Sequence, residues 1–148
     1  MTNSFKVDIL SGGMNFNTTN RALSSNTQDT FKLALYTSSA SLDATTTAYS
    51  ATNEVASGSG YTTGGNTLTV SQVPTSSGTP STTAYINFSN TSWSSASFSA
   101  DGALIYNSTN SNKSVAVLSF GGTKTVTSGT FTIQFPTAGT GTSIIQIA

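Results

Sequence analysis

Apolar and polar residues alternate most clearly in the last third of the chain. Residues 103–107 (ALIYN), 114–121 (SVAVLSFG) and 130–135 (TFTIQF) are rich in β-branched and aromatic side chains, and 143–148 (SIIQIA) carries the pattern to the last residue. Between them, 108–113 (STNSNK) and 122–129 (GTKTVTSG) consist largely of the small polar residues and glycine that let a chain reverse. This pattern predicts a β-meander that ends in a sheet strand.

Upstream the same period recurs. Residues 30–38 (TFKLALYTS) place Phe31, Leu33 and Leu35 on one face and Lys32, Ala34 and Tyr36 on the other, which predicts a strand with one side at least partly wet. Residues 67–73 (TLTVSQV), 83–89 (TAYINFS) and 94–100 (SSASFSA) read as further strands, separated by the Gly- and Pro-bearing turns 58–66 and 74–81. Asp101-Gly102 predicts a tight bend or bulge leading into 103–107. Residues 41–55 are too sparsely apolar for a strand, and their threonines disfavour helix, so a loop with a short helical piece is expected.

The first residues are less regular. Residues 4–13 (SFKVDILSGG) fit a strand by alternation, or a short helix capped by Ser4 and ended by Gly12; we read a helical turn. Residues 14–29 show no period and read as a long arm or loop, suited to reaching over a neighbouring subunit. Seven or eight short strands with little helix select an all-β fold, an antiparallel β-sandwich of Ig-like or jelly-roll type over 30–148. Residues 1–29 precede it as an irregular N-terminal arm, or a short helix plus loop. No fixed-period repeat supports a β-helix.

Composition changes this picture in one respect. A chain of 148 residues can bury about two thirds of its unfolded surface, so the core needs no staples. Five basic and five acidic residues leave no net charge, and charged residues are only 7% of the chain, against roughly 25% in an average soluble domain. Serine and threonine supply about a third of the residues. A surface polar through hydroxyls rather than charges suits coverage by neighbouring subunits; an ordinary Ser/Thr-rich sandwich has the same composition. No basic segment followed by a long apolar one opens the chain, and no apolar run approaches the roughly 18 residues of a membrane span. A product made and kept in the cytoplasm is expected, with no membrane partner.

The candidate chemistries narrow quickly. The chain has neither histidine nor cysteine, which removes a Ser-His-Asp arrangement, thiolate metal sites and disulfides. Asp8, Asp29, Asp43, Glu54 and Asp101 are scattered and form no motif for paired-carboxylate catalysis or calcium binding. Residues 121–125 (GGTKT) lack the spacing of a phosphate-binding loop and read as a hairpin turn. The five basic residues form no stripe, so nucleic acid is not expected as a partner. Asn-x-Ser/Thr tripeptides begin at Asn17, Asn87, Asn90, Asn107 and Asn112, as chance provides in such a composition. A self-made isopeptide bond would need an asparagine and a neutral buried acid beside Lys32. No catalytic residue, metal or cofactor is expected. What remains is contact surface, with Phe16, Arg21, Tyr36, Tyr49, Tyr61, Tyr85, Trp93 and Tyr106 as candidate interface residues and core packing as the competing role for the aromatic ones.

The strings 29–39 (DTFKLALYTSS), 102–107 (GALIYN), 115–120 (VAVLSF) and 129–136 (GTFTIQFP) together resemble small virion proteins of tailed bacteriophages, cyanophage-like ones included. The resemblance covers most of the chain beyond Asp29. It implies a non-enzymatic particle component located in the virion and assembled in the host cytoplasm. Its partners would be other virion proteins: the major capsid protein for a decoration or cement protein, or neck and tail proteins. A homo-oligomer is implied, with trimers as the form often seen on other phages. The alternative from another class is a tail-fibre module that binds a receptor or glycan by stacking exposed Tyr side chains and Trp93 on sugars. A depolymerase is a third, weakened by the scattered acids.

Overall fold

The computed structural model of the chain describes residues 1–17, 27–78 and 81–148. One helix, α1 (Asn3–Leu10), is followed by seven strands: β1 (Phe31–Tyr36), β2 (Asn66–Leu68), β3 (Val70–Gly78), β4 (Ser81–Phe88), β5 (Thr91–Asn107), β6 (Lys113–Ile133) and β7 (Ile145–Ile147). They form two antiparallel sheets, a four-stranded one ordered β2-β1-β5-β6 and a three-stranded one ordered β3-β4-β7. The result is the sandwich-like all-β fold that the alternation predicts.

The core between the sheets follows from that alternation. Phe31, Leu33 and Leu35 of β1 pack in one cluster with Ile86 and Phe88 of β4, Ile105 of β5, Val115 of β6 and Ile145 of β7. Burying each such side chain stabilises the fold by about 1.5–3 kcal/mol. On the opposite face of β1 Lys32 is half-exposed, while Ala34 and Tyr36 are covered. Ala34 and Tyr36 join Leu104 and Tyr106 in a second buried cluster, against which Leu42 and Tyr49 pack from the connection between β1 and β2. That connection contains turns and bridges but no helical piece. It doubles back over the sheet and covers that part of the face.

The N-terminal residues belong to the same body. Thr2, rather than Ser4, caps α1, its hydroxyl accepting from Phe5 N at 3.4 Å; the helix gives way at Ser11, just before Gly12 at φ 72°. Phe5 is fully buried in the main core. Asp8 is buried too, and its carboxylate is paired with the ammonium of Lys113 on β6. Met14 and Phe16 enter the main core, with the Phe16 ring stacked on Phe31 at 4.4 Å. Asn15 N donates to Asp29 Oδ2 at 2.8 Å and Asp29 N donates to Asn15 O at 2.9 Å, so the two ends of the predicted arm are tied together on the sandwich. An arm reaching over a neighbour would have to come from residues 18–26, which lie outside the described residues.

The C-terminal third is a long ribbon rather than a meander. The turn at 108–112 is as expected, with Ser111 and Asn112 in the left-handed region and Asn107 Oδ1 accepting from the N–H groups of Thr109 and Asn110. The segment read as a second hairpin turn, including 121–125, instead continues β6. Residues 120–123 swell out opposite Asp101, and Thr123 Oγ1 donates to Asp101 Oδ1 at 2.8 Å. The predicted bulge at Asp101-Gly102 is this same irregularity, so 94–100 and 103–107 are one strand. β7 leaves the ribbon altogether and pairs with β4 in the other sheet.

Candidate functional site

A polar cluster lies under the connection between β1 and β2 and centres on Glu54, which is 8% exposed. Tyr61 Oη donates to Glu54 Oε1 at 2.6 Å and Gly64 N donates to the same oxygen at 2.7 Å. Tyr49 Oη donates to Oε2 at 2.7 Å. Around this carboxylate, Tyr61 Oη also accepts from Leu35 N of β1 at 2.9 Å, Tyr106 Oη donates to Gly64 O at 2.8 Å, and Tyr36 Oη donates to Ser50 O at 2.7 Å. The rings of Tyr49 and Tyr106 stack at 4.5 Å. Both carboxylate oxygens are thus occupied by donors from the chain itself, and each hydroxyl fastens the connection to the sheet or to itself.

The electrostatics suit a lock rather than a reactive centre. Burial, followed by the negative charge of Glu54, pushes the Tyr106 hydroxyl up to about 12. Burial also raises Tyr36, Tyr49 and Tyr61, by more, with Glu54 adding to each. These phenols stay protonated as donors at neutral pH, so none is a ready base or nucleophile. Their titration carries a stability consequence. The folded chain holds phenolic protons that the unfolded chain releases near pH 10, so the stabilisation is complete below that pH and is lost as pH rises through the folded values. The urea midpoint is expected to be flat from pH 7 to about 9.5 and to fall steeply beyond pH 10, together with the rise of phenolate absorbance. An unchanged midpoint at pH 11 would remove the tyrosine cluster from the account of stability.

Beside this cluster lies an open hollow of about 560 Å³, walled by Ser41, Thr45, Thr46, Thr47, Ser50 and Thr52, with the buried Tyr36 beneath. A second groove of about 560 Å³ is mostly apolar, bounded by Leu118, Phe120, Phe131 and Ile133 of β6 and by Phe135 and Ile144, with Lys124 also in its wall. The solvent face of the ribbon carries Ser92, Ser97 and Ser99 on β5 and Thr125, Thr127, Thr130 and Thr132 on β6, all exposed. Lys124 stands in register with Ala100 and lines the groove instead, and the charge beside the hydroxyls is Asp101, bonded to Thr123 Oγ1.

The structure separates the eight candidate interface residues. Phe16, Tyr36, Tyr61, Trp93 and Tyr106 are buried within the chain and serve its own packing, because each has an aromatic or aliphatic neighbour from a second element. Trp93 in particular sits among Tyr61, Phe98 and Phe131, at 5.9, 6.5 and 6.1 Å between ring centroids, and presents no face to a ligand. Tyr49 and Tyr85 are half-buried. Arg21 lies outside the described residues. Tyr36, Tyr49, Tyr61 and Tyr106 do come together, around Glu54, which sequence reasoning dismissed as a scattered acid. Lys32 stands in register opposite Thr67 and Tyr106, and its Nζ lies beside Gly64.

Among the described residues no group of three or more acidic side chains is placed to hold a metal ion, and no helix is long and apolar enough to cross a membrane. No protein-family model, curated protein or solved structure matches this chain.

Proposed function

We propose that this chain is a non-enzymatic structural protein of a tailed-bacteriophage virion, a decoration or cement protein that reinforces the capsid by contacts between subunits. The observation that carries the reading is where the polar chemistry is spent. The buried acids Glu54 and Asp8 are committed to internal partners, while the broad outer face of the β5–β6 ribbon offers hydroxyls with almost no charge. Such a face can be covered by a neighbour without stripping water from ions, whose burial costs several kcal/mol each. Repetition over a lattice then turns weak contacts into strong attachment. The sugar-binding alternative has less support, because Trp93 and three of the candidate tyrosines are inside the chain. A neck or tail position shares the same surface argument.

The test is electron cryomicroscopy of the intact particle with and without this chain. Density over the capsid lattice, and faster loss of packaged DNA on heating when the chain is deleted, are the expected results. Density on distal fibres alone, with deletion abolishing adsorption and leaving heat resistance unchanged, would overturn the capsid reading.

A further inference from the structure

A sheet edge that is long and unblunted invites another strand, and proteins ordinarily shorten, charge, bulge or cover such edges. Of the four edges in this sandwich, β2 and β7 are three residues long, and β3 carries Pro74 together with register shifts. β6 is different. At its start the edge is covered: Ser114 N donates to Thr47 O at 2.9 Å and Val115 O accepts from Thr2 N at 3.0 Å. From Ala116 to Ile133 the strand pairs with β5 on one side, and among the described residues no backbone group bonds to it from the other. That run contains no proline and a single charge, Lys124. Its inward-facing Leu118, Phe120, Phe131 and Ile133 are only half-buried and border the apolar groove.

We infer that β6 is the interface through which two copies of this chain pair, edge to edge and antiparallel, joining their four-stranded sheets across a two-fold axis. An antiparallel strand edge is complementary to itself, and such an isologous joint closes at two copies. The inward row of β6 is also matched to its own groove: the side chains that leave the groove half-open on one copy would cap it on the other. The chain has no net charge, and the one charge in the run, Lys124 near its midpoint, is the single like-charge cost when it meets its own copy across the axis. The excursion at 120–123 and the register shifts between Val126 and Phe131 confine strand pairing to the shorter regular stretches between them. About 50 Å of edge on a sheet about 10 Å thick offers roughly 500 Å² per copy, roughly 1,000 Å² in a pair, the size at which specific interfaces begin. The inference needs only the chain itself and stands whether or not the chain belongs to a virion.

Sedimentation equilibrium of the full chain from low to high micromolar concentration tests it, alongside Thr127→Lys/Thr130→Lys, which sets two further charges at exposed positions of β6. The wild type is expected to form a reversible dimer, and the variant to dissociate at a concentration at least tenfold higher with an unchanged circular dichroism spectrum. Amide exchange on the wild type provides a reading that does not depend on the variant folding. Protection within 116–133 should rise with protein concentration while that of 70–78 does not. A monomer at every concentration, a trimer, or a dimer whose β6 amides exchange as fast as in the monomer would overturn the inference.

Discussion

Glu54→Ala is expected to lower the stability of the chain by about 3 kcal/mol, because it removes one acceptor group and strands three donors at once. Tyr61 Oη and Gly64 N are buried where they meet the carboxylate; Tyr49 Oη is nearer the surface and can recover part of its loss with water. Glu54→Gln keeps one carbonyl oxygen for Tyr61 and Gly64 and lets the Tyr49 hydroxyl turn to accept from the new amide, so a cost of about 1 kcal/mol is expected. Urea unfolding at pH 7 separates the two through the midpoint at constant slope. Equal, small losses for both variants would mean that apolar contacts of Leu42 and Tyr49, and not the carboxylate, hold the β1–β2 connection on the sheet.

That connection also marks the boundary of what the sequence makes legible. The period of two in Phe31, Leu33 and Leu35 finds β1 and its core face, because a strand's inward residues depend only on its own alternation. The fate of Lys32, Ala34 and Tyr36 depends on where a later loop folds, and nothing in 30–38 encodes it. The same holds for Glu54: its partners Tyr49, Tyr61 and Gly64 lie in irregular chain with no period to align them, so a lone acid gives no sign that it will be the centre of a cluster. The 122–129 segment misleads for another reason. Gly, Ser and Thr suit turns, yet Thr123, Thr125 and Thr127 alternate with Lys124 and Val126, and threonine favours strands as well. Turn composition conceals an alternation that was present. The choice of β4 by β7 is a long-range pairing that local patterns do not carry. Of the candidate site, the tyrosines were legible as important aromatic residues, but their burial and their shared carboxylate were not.

Gly65→Ala should be the most damaging single methyl group in the chain, and a matched glycine shows why. Gly65 has φ +68° and Gly121 has φ +67°, so the backbone cost of placing alanine in the left-handed region, about 1 kcal/mol, is common to both. Around Gly121 nothing lies within 4 Å of an added Cβ. At Gly65 that carbon would fall 1.8 Å from Leu33 O and 2.7 Å from Ala34 Cα, both backbone atoms of β1. No rotamer change relieves such a contact. Either β2 moves off β1, losing the pairing of Asn66 with Leu33, or β1 shifts against β5, where its pairing runs from Phe31 to Tyr36. Gly65→Ala is therefore expected to cost more than about 3 kcal/mol and lower Tm by roughly 10 °C or more, against about 3 °C for Gly121→Ala. Equal shifts in the two variants would show that the left-handed backbone alone sets the cost and that the approach of the connection to β1 is looser than 1.8 Å implies. A large difference ties the β1–β2 connection to the central strand, which is the condition for the Glu54 cluster to act as a lock.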